Sequence, residues 1–129
     1  MEAITDHISA KTLLGSIGEN QRYIKALLKT KAATVKEVQS AMDKKARTKT
    51  PLDERQQRIF HEFTGIYAKE GGKLKESLVR MEHIQQIIHT ESSEPFTLSL
   101  LLLKRHQNSA IHSLYCMIEA GQKTLNVIL

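Results

Sequence analysis

The sequence has one cysteine, Cys116, so no intrachain disulfide can form, and the scarcity of thiols fits a reducing interior rather than an oxidising exterior. Proline occurs twice and glycine six times, too seldom for a chain built mainly from turns. Aromatic residues amount to 5 % and tryptophan is missing, which leaves few of the clusters that mark strands. No apolar run approaches the ~20 residues that a membrane-spanning helix requires. The longest strongly apolar stretch covers 96–103, with four consecutive leucines at 100–103. The first residues, MEAITDHISAK, contain Glu2 and Asp6 and no apolar core, so no secretory signal is expected. These absences lead to the expectation of a cytoplasmic chain without a transmembrane segment.

What the chain does contain favours helix. Leu, Ile, Ala, Lys, Glu, Gln and Ser dominate, and most of these are good helix formers. At 129 residues a single domain, 1–129, is expected, long enough to bury about two-thirds of its unfolded surface. The segment TKTPLDE reads as a helix start, with Thr50 as N-cap, Pro51 in the first helical position and Asp53 and Glu54 in the first turn. TESSEPF reads as another, capped by Ser93 or Glu94 with Pro95 just inside. Ser16 and Glu19 have capping-box spacing, and Gly15 before them can close a short extra N-terminal helix.

Periodicity agrees with this punctuation. Steps of three and four from Leu14 pass through Ile17, Gln21, Ile24, Leu28, Lys31, Val35, Val38 and Met42, an oily face broken twice. Steps from Leu100 pass through Leu103, Gln107, Ile111, Leu114, Ile118, Gly121, Leu125 and Ile128. The middle segment has two registers, Ile59-Phe63-Ile66 and Leu74-Leu78-Met81-Ile88. A kink, a break or a close helix contact is therefore expected at Gly71-Gly72. Helices of about 16–47, 51–89 and 95–129, each roughly 50–60 Å long, predict an all-α, antiparallel (up-down-up) three-helix bundle.

Catalytic and metal-binding patterns are not apparent. None of the six histidines has another at i+4, and one cysteine cannot build a thiol-rich zinc site. EGGKL at 70–74 lacks the spacing of a phosphate loop. His112 and Cys116 lie one turn apart, but the apolar sequence LYCMIEA favours a buried, inert thiol. The chain is therefore expected to be no enzyme and to need no cofactor or metal.

The charge is uneven. Residues 1–50 hold ten Lys and Arg against five Asp and Glu, which is the whole net surplus of +5. Arg22, Lys25, Lys29 and Lys36 form a stripe beside the oily face of the first helix, and Lys44, Lys45, Arg47 and Lys49 cluster at its end. The plainer reading is a solvated face whose terminal cations suit the helix dipole. The functional alternatives are an acidic protein partner, or a nucleic-acid-binding accessory role that uses these cations on phosphates. The third helix shows the opposite: from His106 to Leu129 only Glu119 and Lys123 are charged, where the chain average of 26 % would give about six. Either this helix is the most buried of the three, or it is covered by a protein partner or a second copy. Leu98, Leu101, Leu102, Val127 and Leu129 fall outside its core stripe and are the expected partner-binding residues. The sequence thus points to a non-enzymatic helical interaction or assembly protein that associates through its apolar C-terminal helix.

Overall fold

A computed structural model describes the backbone of residues 2–90 and 97–129 and the side chains of residues 11–89 and 98–129. The described residues form three long helices: α1 (Glu2–Arg47), α2 (Glu54–Thr90) and α3 (Thr97–Ile128). At 1.5 Å per residue they run roughly 70, 55 and 50 Å. The all-α three-helix bundle read from the sequence is the observed class. Ile17, Asn20, Tyr23 and Thr34 of α1 meet Gln107, Asn108, Tyr115 and Gly121 of α3 in that order. Gln56, Glu62 and Glu70 of α2 meet Val127, Lys123 and Ser113 of α3 in the reverse order. The α3 helix is therefore parallel to α1 and antiparallel to α2.

Two boundaries differ from expectation. The first helix does not begin at Ser16; it runs unbroken through Gly15-Ser16, so no separate N-terminal helix is closed there. Two helix-compatible glycines in an otherwise strong helical run weaken the helix without ending it. The second helix is capped by Asp53 rather than Thr50. The Gln56 backbone N–H donates to Asp53 Oδ1 at 2.8 Å, and the Asp53 N–H donates to Gln56 Oε1 at 3.0 Å, a reciprocal capping box. Thr50 instead belongs to the end of α1. Its N–H donates to the Lys45 carbonyl and the Lys49 N–H to the Ala46 carbonyl, with Lys49 at φ 53°. This is a Schellman closure in which a lysine holds the left-handed position usually given to glycine. The expected start of the third helix at Ser93, Glu94 and Pro95 lies outside the described residues.

Packing is organised around α3. Both α1 and α2 lie against it, while among the described residues α1 and α2 make no close backbone approach to each other. Its stripe Leu100, Leu103, Gln107, Leu114, Ile118, Gly121, Leu125 and Ile128 is buried as expected, with Ile111 half-buried. A second buried column, Ala110, Ser113, Met117 and Thr124, runs beside it. Two buried columns, rather than one, explain much of the missing charge in this helix.

The buried stripe of α1 keeps Ile17, Ile24 and Val38 of the register counted from Leu14 and completes it with Leu13, Leu27, Thr34 and Ala41. Leu28, Val35 and Met42 sit half-buried in the adjacent column, and Leu14 and Gln21 are exposed. In α2 the stripe is continuous through Ile59, Phe63, Glu70, Leu74, Ser77 and Met81, and the helix runs through Gly71-Gly72 without a break. Ile66, assigned to the first register, is exposed. The close glycine contact is at Gly121 instead. A Cβ there would overlap Thr34 Cγ2 and touch Phe63, so this is where all three helices converge. The Thr34 and Thr124 hydroxyls donate back to the carbonyls of Thr30 and Ala120 at 2.9 and 2.8 Å, which satisfies them inside the core.

Candidate interaction surfaces

The leucines singled out in the sequence separate into two groups. Leu98, Leu101 and Leu102 crowd the first turns of α3 and are 73 %, 49 % and 42 % exposed. The run 100–103 winds around more than half of the helix circumference. Leu100 and Leu103 enter the core, and their neighbours are left pointing outward. Leu102 lies beside Val79, His83 and Ile84 of α2 in a shallow groove, and Val79 is also exposed. Leu101 opens onto a second α2–α3 groove with Lys73, Arg80 and Arg105. Exposed charges of both signs therefore rim this apolar end, with Glu76 and Arg80 in an ion pair of 3.3 Å.

Val127 and Leu129 stand at the other end, ~40 Å away along the helix axis. Val127 is half-buried and its carbonyl accepts from Gln56 Nε2 at 2.9 Å, tying the last turn of α3 to the first of α2. Leu129 is exposed, beside Lys44, Lys45 and Thr48 at the α1–α2 turn. The five leucine and valine positions thus do not make one surface.

The expectation that α3 lacks a wet side needs correction. Asn108, Ser109, His112, Tyr115, Gln122 and Asn126 are all exposed, so its outer face is solvated by uncharged polar groups. Asn20 Nδ2 donates to Asn108 Oδ1 at 3.4 Å, and Tyr23 and Tyr115 pair above it at 6.0 Å between ring centres.

Arg22, Lys25, Lys29 and Lys36 are exposed along α1. Lys44, Lys45, Arg47 and Lys49 form a separate group at its end, with Lys45 half-buried. None of these eight cations is in an ion pair among the described residues. Lys31, closer to the core, places its ammonium 5.6 Å from the ring centre of Tyr67 in α2, bridging the gap between the two helices. Below that bridge lies an open valley of about 400 Å³, floored by Val35, Val38, Met42, Phe60, Phe63 and Tyr67.

The polar side chains of Glu70 and Gln107 lie in the core, and only Gln107 was placed there by the sequence. Glu70 sits on the buried stripe of α2, where its Oε2 accepts from the Ser113 hydroxyl at 3.0 Å and Lys73 stands 3.9 Å from Oε1. Gln107 is wholly buried; its Nε2 donates to the Ile17 carbonyl at 3.2 Å, while its Oε1 has no protein partner among the described residues. A glutamate after AK carries no local mark that distinguishes it from a surface residue, whereas the helical period itself puts Gln107 on the core stripe.

The thiol of Cys116 departs from its expected burial. It is half-buried in a groove with Ile66 and Glu70, with Sγ 3.7 Å from His112 Nε2. Among the described residues no group of three or more His, Cys, Asp and Glu could hold a metal ion, and no helix is long and apolar enough to cross a membrane. Compared with family models, curated proteins and solved structures, the chain matches none.

Proposed function

We propose that this chain is a non-enzymatic helical interaction protein that associates with a second copy of itself through the start of α3. The observation that carries this reading is the exposure of Leu98, Leu101 and Leu102 on adjacent turns beside exposed Val79. A leucine moved fully from water contributes ~2 kcal/mol, so burying three half-exposed ones favours association by several kcal/mol before entropy is charged against it. The grooves are lined by Lys73, Lys75, Arg80, Lys104 and Arg105 with Glu76, so a contact between copies has to bring a carboxylate against these cations. A two-fold axis can set Glu76 or Glu82 of one copy against Lys104 or Arg105 of the other, whereas a rim of one sign would repel its own copy. The outward charges of α1 and α2 then keep the assembly soluble.

The test is the double variant Leu101→Asp with Leu102→Asp, followed by light scattering and circular dichroism. A smaller particle with unchanged helicity supports the reading. An unchanged particle mass removes it.

A further inference from the structure

The valley between α1 and α2 gives a second surface, with a different character. Two helices whose backbones both lie close to α3 but not to each other, and which meet only through side chains, leave a trough facing away from it. Packed helices lie about 8–10 Å apart, so one further helix laid in this trough would touch α1 and α2 at once. Its floor is apolar along both walls: Val35 and Met42 of α1, Phe60 and Tyr67 of α2. All four are only half-buried in the chain alone.

The charge on its lip identifies what would lie there. Helical spacing puts Lys25, Lys29 and Lys36 on the strip of α1 just outside the column Leu28-Val35-Met42, and all three lysines are exposed without an ion-pair partner among the described residues. Lys31 reaches into the trough itself, over Tyr67. The opposite lip contributes no countercharge nearby: Thr64 and Ala68 line it, and His61 and Lys75 flank it. Asp43 is the one carboxylate in the lining, next in sequence to Lys44 and Lys45. A second copy laying its own basic α1 in the trough would meet like charge and be repelled.

We infer that the α1–α2 trough is a docking site for an acidic amphipathic helix of another protein, whose apolar stripe covers Val35, Met42, Phe60 and Tyr67 and whose carboxylates meet Lys25, Lys29, Lys31 and Lys36. Nucleic acid fits less well, because a duplex backbone has no use for an apolar floor. This site shares no residue with the α3 leucines and stands without them.

The probe is a synthetic peptide of roughly 20 residues, long enough to hold a helix, with leucine along one stripe and glutamate on either side of it. A second peptide carries lysine in place of every glutamate, and a DNA duplex serves as competitor. Fluorescence anisotropy on the full chain is expected to show saturable binding of the acidic peptide and at least about tenfold weaker binding of the basic one. Lys25→Glu with Lys29→Glu and Lys36→Glu, all at exposed positions and checked for helicity, is expected to weaken the acidic peptide by about tenfold or more. Val35→Arg should abolish its binding, and Leu101→Asp with Leu102→Asp should leave it unchanged. Equal binding of both peptides, no binding of the acidic one, or its displacement by the duplex with Val35→Arg having no effect would overturn the assignment.

Discussion

Toward the end of the bundle that carries the α1–α2 turn, Thr34, Phe63 and Gly121 draw the three helices together, whereas at the far end Leu98, Leu101 and Leu102 stand in solvent. Close approach at the first end depends on small side chains and on hydroxyls that satisfy themselves on their own helix. The capping box of Asp53 and Gln56, the Schellman closure at Lys49 and the Gln56–Val127 hydrogen bond then fix the chain where it turns. The far end has larger apolar side chains and less surface to put them against. Leucine content is therefore a poor guide to where this bundle is tightest. What decides is whether a facing helix has room to come near.

Truncation should separate the ends most clearly. Phe63→Ala removes a buried ring at the convergence and is expected to lower stability by about 3–5 kcal/mol in urea unfolding. Leu101→Ala, at the open end, should change it by less than about 0.5 kcal/mol at concentrations low enough to keep copies apart. Similar losses for the two would abolish the distinction.

Overpacking gives the next largest effect. Gly121→Ala forces a methyl into Thr34 Cγ2 and should cost about 1–3 kcal/mol. Adding Thr34→Ser removes that Cγ2 and should restore part of the loss, a non-additivity readable in a double-mutant cycle. Gly72→Ala is the internal control. Nothing stands within 4 Å of its added methyl, so the same change should raise stability by about 0.5–1 kcal/mol through helix propensity alone. Lys49→Gly is expected to give a smaller gain, at most about 1 kcal/mol, by relieving a left-handed lysine. A melting temperature that falls for Lys49→Gly would show that the closure depends on the side chain.

The third helix was the most legible part of the fold, because its core stripe is long, regular and nearly all Leu and Ile. Its second buried column was hidden, since Ala110, Ser113 and Thr124 do not look apolar. In α1 the expected stripe holds at Ile17, Ile24 and Val38 but takes the outer member of three adjacent pairs. Leu13-Leu14, Leu27-Leu28 and Ala41-Met42 are adjacent apolar pairs, and periodicity alone does not say which member faces the core. In α2, Glu70 and Ser77 interrupt a continuous stripe with polar residues and so imitate a break at Gly71-Gly72. Of the surfaces, the exposed leucines of 98–102 were readable because a run of four must wind outward. The α1–α2 trough was not, because it depends on how far apart two helix backbones stand, and no single helix records that.

The central claim is that the open end of α3 is a contact surface between copies. The most direct test is the solution mass of the unmodified protein by sedimentation equilibrium over a wide concentration range. The expected mass climbs above the 14.6 kDa of one chain as concentration rises. A mass that stays at one chain throughout would contradict it.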